Sequence, residues 1–260
     1  MDSTASNYPS LRGQVALVTG ATGDMGATFA RALAGAGADL VLTSRTEQRL
    51  AELSQQITAE FGCSVRYLPC DLSDRKAAAQ LGEDAWTQFG RIDVVVNNAV
   101  PDGSQVMVGD LLTTPDHLWQ EWLEPIVFGP LAAARALAPK MAEAGGGAFV
   151  NIVSATGVVP IPGLDAYGFA KGGLQLLTKY MAREWGQWNI RANAVSPGLI
   201  MNPHAVATGN EMTRRTGLLD RTALGRKGTK DEVVGAVLFL ASPASSFVSG
   251  EVIHVNGGRF

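Results

Sequence analysis

The stretch VALVTGATGDMGATFARALAG, residues 15–35, passes from an apolar run through three glycines into an alanine-rich segment. Gly20, Gly23 and Gly26 recur every three residues at this junction. The pattern predicts a buried strand, a tight turn at Gly20 and a helix that packs closely on the sheet through Gly26. Gly23 leaves the backbone open to a diphosphate at the start of the helix, where free N–H groups and the helix dipole favour an anion. We therefore expect a dinucleotide-binding turn here.

Short runs rich in valine and leucine alternate with segments of helical period along the rest of the chain. Such apolar runs suit strands covered on both faces, and the intervening helices suit crossovers between parallel strands. The predicted fold class is α/β: a single Rossmann-like doubly wound domain with a seven-stranded, mainly parallel sheet flanked by helices. The predicted strands cover residues 15–20, 39–44, 64–69, 92–98, 148–154, 191–198 and 251–258. The predicted helices cover residues 25–35, 46–61, 74–89, 115–144, 163–188 and 230–242.

The chain divides into a flexible N-terminal tail, residues 1–12, and a single dinucleotide-binding and catalytic domain, residues 13–260. Within that domain, residues 199–227 are polar and show no clear periodicity. Aperiodic segments of this length in compact domains are usually functional loops, so we assign residues 199–227 as a substrate lid.

The composition limits the classes of partner. A net charge of -3 gives no basic field for nucleic acid or an anionic membrane, and no run of about 18 apolar residues predicts a membrane span. Two cysteines and three scattered histidines provide neither a disulfide framework nor a set of metal ligands. We expect a cytoplasmic protein that binds small molecules, with no nucleic acid, membrane or metal partner.

The end of the second predicted strand, LTSRTEQRL at residues 42–50, indicates the cofactor. Sheets that bind NAD place an acidic residue near this point to hold the ribose hydroxyls. Here Ser44 does not repel a 2′-phosphate, and Arg45 can pair with it bidentately, which favours NADPH/NADP+ over NADH. Asp24 is a carboxylate within the phosphate turn, and we expect its side chain to point outward.

The segment SATGVVPIPGLDAYGFAK, residues 154–171, holds the predicted catalytic group. Tyr167 and Lys171 are four residues apart and share a helix face, so an ammonium can lie beside the phenol. A neighbouring cation stabilises phenolate and is expected to lower the pKa of Tyr167, which suits general acid/base work. Ser154 lies at the carboxyl end of a strand, where its hydroxyl can donate to a carbonyl oxygen that gains negative charge.

The order of these motifs resembles that of the short-chain dehydrogenase/reductase family over residues 11–260. The glycine turn is followed by CDLSD with Asp71, NNA at residues 97–99, the Ser154 and YGFAK group, SPG at residues 196–198 and the ending SGEVIHVNGG. In this family the tyrosine moves a proton at the substrate oxygen, the lysine holds the nicotinamide ribose and lowers the tyrosine pKa, and the serine orients the carbonyl. The resemblance implies these catalytic roles for Tyr167, Lys171 and Ser154, with Asp71 at the adenine.

The motifs and the resemblance together predict the binding residues and the assembly. The predicted cofactor-binding residues are Gly20, Thr22, Gly23, Asp24, Met25, Ser44, Arg45, Asp71, Leu72, Asn98, Ala99, Tyr167, Lys171, Pro197, Gly198 and Ile200. The predicted substrate-binding residues are Val100, Ser154, Thr156 and Tyr167. The resemblance further implies a homotetramer, with a homodimer as the alternative, formed through the two long helices and the C-terminal end.

Three positions depart from the family pattern. Asp24 stands where the single-domain branch has glycine, so the turn follows the rhythm of the extended branch, and Val100 replaces a glycine beside the substrate pocket. Ile126 stands where the family has an asparagine that helps to hold a water linking the lysine to solvent through its backbone carbonyl. Pro130 has no N–H to give to the Ile126 carbonyl, and we hypothesise that this carbonyl accepts from such a water.

The residues near the predicted site favour a small to medium, largely apolar substrate. They are Val100, Pro101, Ala155, Thr156, Val158, Val159, Leu164, Leu199 and Ile200. Core packing explains some of them equally well. Arg214, Arg215 and Arg221 in the lid are expected on a solvated face, with an acidic substrate as the alternative.

We therefore predict an NADPH-dependent carbonyl reductase or alcohol dehydrogenase that interconverts a ketone or aldehyde and an alcohol. One alternative is reduction of C=N or C=C bonds, or a non-redox use of the same site such as elimination or dehalogenation. Another is a catalytically impaired nucleotide-sensing subunit, which only Ile126 and Asp24 favour.

Overall fold

The computed structural model describes residues 10–101, 110–201, 217, 219 and 222–259. Seven strands, matching the seven predicted apolar runs, form one sheet in these ranges. They are β1 (Val15–Thr19), β2 (Asp39–Ser44), β3 (Val65–Pro69), β4 (Val94–Asn97), β5 (Gly147–Ile152), β6 (Ile190–Pro197) and β7 (Val252–Val255).

The sheet has the strand order β3-β2-β1-β4-β5-β6-β7, and all six neighbouring pairs are parallel. The order reverses beside β1, which is the switch point where doubly wound sheets bind ligands. β1 and β4 are buried along their whole length, because helices cover both faces of the sheet. The prediction of an α/β doubly wound sheet is confirmed.

Helices pack on both faces. They are α1 (Asp24–Gly35), α2 (Glu47–Phe61), α3 (Arg75–Phe89), α4 (Asp116–Leu123), α5 (Gly129–Glu143), α6 (Asp165–Trp185) and α7 (Asp231–Ala241). The apolar stripes of α1, α2 and α7 meet one face of the sheet, with Phe29, Leu50 and Val237 in one core cluster. Those of α3, α5 and α6 meet the other face, where Leu137 and Met181 pack.

The sequence predicts one helix over residues 115–144, but the structure divides this segment. A π-helical turn, Glu124–Phe128, separates α4 from α5, and the N–H of Gly129 bonds to the carbonyl of Glu124 five residues earlier. Pro130 cannot donate to the carbonyl four residues before it, so the regular ladder is interrupted at this point.

Arg75 braces the π-helical turn from α3. Its guanidinium makes two hydrogen bonds of 2.7 Å to the Glu124 carboxylate and lies 3.9 Å from the centre of the Phe128 ring. Arg75 therefore holds both ends of the turn. Ile126, in the middle of the turn, points into the core, where its side chain is 1% exposed.

The described part of the N-terminal segment corrects the limit of the predicted tail. Leu11 is 1% exposed, and its N–H donates to the Ala36 carbonyl at 2.8 Å. An apolar side chain buried in the core cluster cannot belong to a loose tail, so the folded chain includes Leu11. The rest of the predicted tail, residues 1–9, lies outside the described residues.

Buried amides join the sheet to α6. Asn97 on β4 donates to the Asn151 side-chain oxygen on β5 at 2.8 Å, and Asn151 donates to the Thr178 hydroxyl on α6 at 2.8 Å. All three residues are buried, and a satisfied buried network fixes one arrangement because breaking any member leaves a polar group without water. This network sets the position of α6 against the carboxyl ends of the strands.

Candidate active site

The glycine turn between β1 and α1 is built by close backbone contacts. Gly20 has φ +62°, and a Cβ on it would lie 2.8 Å from the Ala99 Cα. A Cβ on Gly26 would lie 2.1 Å from the Gly20 carbonyl oxygen. The first turn of α1 can therefore pack against the glycine turn only if residue 26 is glycine. Gly23 differs, since a Cβ there would meet only the Gly20 oxygen at 3.3 Å among described atoms. Its open side faces the cleft.

Asn98 holds the glycine turn from the neighbouring strand. Its side-chain amide lies 3.2 Å from the Thr19 carbonyl and 3.3 Å from the Gly20 carbonyl, and donates to both. The Thr19 hydroxyl accepts the N–H groups of Asn98 and Ala99 at 3.0 and 3.2 Å. These bonds tie the end of β4 to the end of β1, so the two predicted motifs form one structural unit.

The start of α1 is open to an anion. Gly23 is the N-cap residue, and no side chain of the described residues caps the helix. The N–H groups of the first turn have no acceptor within the helix. The residues of this turn, 23–26, line the cleft, so the positive end of the helix dipole lies at its wall.

Asp24, expected to point outward, instead forms an ion pair with Lys230 at the start of α7. Both side chains are partly exposed, at 23% for Asp24 and 36% for Lys230, and Asp24 lines the cleft. The residues are 206 positions apart in sequence. Sequence reasoning missed this pair because the close approach of α1 and α7 is tertiary.

The end of β2 supplies polar and basic groups to the same cleft. The Thr22 hydroxyl donates to the Ser44 hydroxyl at 3.0 Å, and Arg45 lies beside Ser44 on the cleft wall. Arg49 on α2, which the sequence analysis did not consider, donates to the Thr22 carbonyl at 3.0 Å and also lines the cleft. Two guanidinium groups therefore flank the position that the fold gives to the adenosine ribose.

α6 carries Tyr167 and Lys171 to the opposite end of the cleft. Both line it, although Lys171 is only 2% exposed. The Trp122 ring meets the Tyr167 ring edge to face, with centroids 5.3 Å apart. Trp122 was missed from sequence, since an indole on an amphipathic helix is indistinguishable there from any core residue.

The Ser154 hydroxyl is oriented by Thr156. Ser154 Oγ accepts from the Thr156 N–H at 3.3 Å and from the Thr156 hydroxyl at 2.9 Å, within the short 3-10 turn Ala155–Gly157. Because these bonds use the lone pairs of Ser154 Oγ, its own proton is left as a donor on the cleft wall. Thr156, predicted to bind substrate, thus directly contacts a predicted catalytic group.

Burial dominates the protonation of Tyr167 and Lys171. It lowers the pKa of Lys171 to about 7, while the ammonium donates to the Ile152 carbonyl at 2.6 Å. Burial raises the pKa of Tyr167, and the Ser154 hydrogen bond opposes that rise. The expectation of a lowered tyrosine pKa is therefore wrong for the protein alone. Spacing correctly placed Lys171 near the ring, with Nζ 5.9 Å from its centre, but spacing does not report the cost of desolvation.

Ile126 lies in the π-helical turn between α4 and α5. Its side chain packs against Trp122, Val153 and Ala170, whereas the neighbouring Pro125 reaches the cleft wall. The interruption expected at Pro130 is present. The role of the Ile126 carbonyl in a water relay stays a hypothesis.

The predicted site residues come together around a cleft of about 670 Å³. All residues predicted to bind cofactor or substrate line it, from Gly20 at the turn to Ile200 after β6. Ala155, Val158 and Val159 do not line it, and the two valines are exposed at 65% and 44%. The lid arginines 214, 215 and 221 lie outside the described residues. Further lining residues without a sequence signal include Glu121, Ile161, Met201 and Arg259.

The described ranges show no group of three or more metal-ligating side chains. Within the same ranges, no helix combines the length and apolar character needed to cross a bilayer.

Comparison with known proteins identifies the family. The family described as enoyl-(acyl carrier protein) reductase matches residues 20–259. The chain is 31% identical over 250 residues to the 3-oxoacyl-[acyl-carrier-protein] reductase FabG of Aquifex aeolicus, covering 96% of this chain and 98% of that protein. It is 32% identical over 248 residues to dehydrogenase/reductase SDR family member 4 of Oryctolagus cuniculus, covering 95% and 94%.

A solved structure shares the same fold. L-sorbose reductase from Gluconobacter frateurii, solved with NADPH and L-sorbose, superposes with a TM-score of 0.88 at 29% identity and covers 96% of this chain and 98% of its own. The fold, the cleft and these relatives define an NAD(P)-dependent oxidoreductase of alcohol and carbonyl groups. The chain belongs to the short-chain dehydrogenase/reductase family.

The buried ammonium predicts a pH-dependent stability. Lys171 has a folded pKa of about 7 against an ordinary 10.5, so between these values the unfolded chain holds a proton that the folded protein lacks. The free-energy cost of burying Lys171 on folding therefore falls as pH rises through this window. The free energy of unfolding of the wild type minus that of Lys171→Met should rise by about 2 kcal/mol between about pH 7.5 and 9.5, measured by urea unfolding. The exposed Lys179→Met on the same helix serves as control, and parallel profiles for wild type and Lys171→Met would contradict the assignment.

Proposed function

We propose that the protein is an NADPH-dependent oxidoreductase that interconverts a ketone or aldehyde and an alcohol, with Tyr167 as the general acid/base. The observation that carries the proposal is that the open start of α1 and the Tyr167 side chain line the same cleft. A group held by its phosphates at one end can then present its reactive ring at the other.

The residues of the cleft fit a dinucleotide phosphate. Gly23 leaves its face of the turn open, and the uncapped helix start offers N–H donors to a diphosphate. Arg45 and Arg49 line the wall at the end of β2, where a 2′-phosphate would be paired. The L-sorbose reductase relative is solved with NADPH, which supports the same preference here. When bound, the nicotinamide supplies or accepts the hydride.

The three catalytic side chains divide the proton work. In reduction, Ser154 donates a hydrogen bond to the substrate oxygen, and Tyr167 transfers its phenolic proton to that oxygen as the carbonyl carbon gains hydride. The resulting phenolate is stabilised by Lys171 in its charged form. In oxidation the same groups act in reverse, with Tyr167 taking the alcohol proton.

The walls around Tyr167 favour a largely apolar substrate. Val100, Ile161, Leu164 and Met201 line this end of the cleft, with Glu121 among the charged groups. Apolar walls with a few convergent polar groups are typical of sites for neutral small molecules. Reduction of a C=C bond is a second candidate, supported by the description of the matched family.

Substitution of the phenol tests the proposed reaction. Tyr167→Phe should lower turnover of a ketone panel by at least about a hundredfold, because the transferred proton is lost, while NADPH affinity stays within about threefold. Turnover is followed by the absorbance of reduced nicotinamide and affinity by its fluorescence. Equal turnover by the two proteins would exclude Tyr167 as the acid. If the wild type binds NADPH but none of the ketones supports its oxidation, the result would favour the nucleotide-sensing subunit. If only an enoyl thioester supports oxidation of NADPH, the result would favour C=C reduction.

Arg45 is expected to select NADPH. Replacing it with glutamine removes a charge-assisted pair to the 2′-phosphate, so Arg45→Gln should raise the KM for NADPH about tenfold or more and leave that for NADH within about twofold. Initial rates with each cofactor give both values. Arg66→Gln, at an exposed position of β3, is the matched control. A change of equal size for both cofactors would contradict selection by this residue.

We further propose a homotetramer in a reducing, cytoplasmic setting. Cys63 and Cys70 are both free, which fits such a compartment. On α6, Phe169, Leu176 and Tyr180 follow a helical stripe and are 57–62% exposed, which is unusual for large apolar side chains in an isolated chain.

Light scattering tests this assembly. The wild type should have the mass of four chains, and Leu176→Glu should dissociate it, because a carboxylate is costly to bury in an apolar contact. Gln55→Glu on the exposed face of α2 is the control for added charge. A wild-type mass of one chain would refute the proposal.

A further inference from the structure

The glycine turn contains an acidic side chain that can compete with a cofactor diphosphate for the open start of α1. Asp24 is the first residue of α1, and a carboxylate there is attracted both to the free N–H groups and to the positive end of the dipole. A carboxylate that capped the helix would occupy the donors that the cofactor diphosphate needs, and an uncompensated one would repel it.

The structure shows that Asp24 does not cap the helix. Its side chain pairs with the Lys230 ammonium at the start of α7. No side chain in the described chain takes the N–H groups of α1, although a carboxylate lies within the same turn.

Lys230 is held where it can make this contact. Just before it, Gly228 pairs with the chain after β6: its N–H donates to the Leu199 carbonyl at 2.9 Å, and its carbonyl accepts from Met201 at 2.8 Å. The nearby Glu232 carboxylate is engaged by Arg226 at 2.6 and 2.9 Å and by the Thr229 N–H at 2.8 Å. The Lys230 ammonium is directed to Asp24 instead.

We propose that Lys230 is a positioning residue for the cofactor, which draws the Asp24 carboxylate off the start of α1, neutralises it and leaves the helix N–H groups to the diphosphate. The inference rests on the proposed use of this cleft for a dinucleotide. It explains how the chain accommodates an aspartate where the family pattern has glycine.

The two side chains predict opposite effects on binding. Lys230→Met should raise the Kd for NADPH about tenfold at about 0.05 M salt, because the freed carboxylate caps the helix or repels the diphosphate. Asp24→Asn should bind at least as tightly as the wild type. The double variant Asp24→Asn/Lys230→Met should return to within about twofold of the wild type, since no carboxylate is left to neutralise.

Fluorescence titration of the purified protein with NADPH measures these constants without turnover. The loss in Lys230→Met should shrink at about 0.5 M salt, because salt screens the repulsion between the freed carboxylate and the diphosphate. Adenosine 2′-phosphate, which has no diphosphate, should bind wild type and variant alike. Lys140→Met, which breaks the partly exposed Lys140–Glu83 pair at 3.1 Å, is the matched control. Thermal unfolding should be little changed in all variants, because partly exposed pairs contribute little to stability.

Wild-type affinity in Lys230→Met would overturn the inference. So would a double variant as weak as Lys230→Met, because the lysine would then act independently of Asp24. Failure of the wild type to bind any pyridine nucleotide is a different result and would remove the proposed function itself.

Discussion

The parallel hydrogen bonding of β1, β4, β5 and β6 is the constraint on which the site depends. Because these strands run in one direction, the chain leaves all of them at the same edge of the sheet. The glycine turn, Asn98, Ser154 and Gly198 follow directly after their carboxyl ends and meet there. The register is fixed locally by Asn97, which lies opposite Asn151 and is bonded to it. A slip of one residue would turn these buried amides toward apolar neighbours and would displace the groups that follow them.

Burial explains the electrostatics of the site better than proximity does. The Lys171 ammonium lies beneath the end of β5 and donates to the Ile152 carbonyl, and one neutral acceptor does not replace the hydration that burial removes. The phenol of Tyr167 is packed against Trp122, which disfavours its anion as well. Burial in the protein alone thus disfavours the charged form of both groups. Such poising by desolvation is common at sites that move protons.

Much of the fold could be predicted from sequence because its signals are local. Apolar runs gave all seven strands, and the Gly20, Gly23 and Gly26 spacing located the turn because only backbone geometry is involved. The catalytic spacing likewise depends on one helix. Contacts between segments that are distant in sequence could not be predicted from local patterns. The ion pair of Asp24 with Lys230 and the burial of Leu11 are two examples. The division between α4 and α5 could be predicted only in part. Pro130 marked the interruption, but the packing of Arg75 against the π-helical turn joins segments 49 residues apart and has no local signal.

The pairing of Ile200 with Gly228 has a consequence for the length of chain that the fold tolerates between them. The segment after β6 lies beside the segment before α7, because Gly228 makes backbone hydrogen bonds with Leu199 and Met201. The chain at residues 199–201 and at Gly228 is therefore held side by side by the scaffold. The entropy of closing a chain between two fixed points grows slowly with the number of residues between them, so the free energy of folding depends weakly on that number. Changes in the length of chain between these two points therefore leave the sheet and its cleft in place.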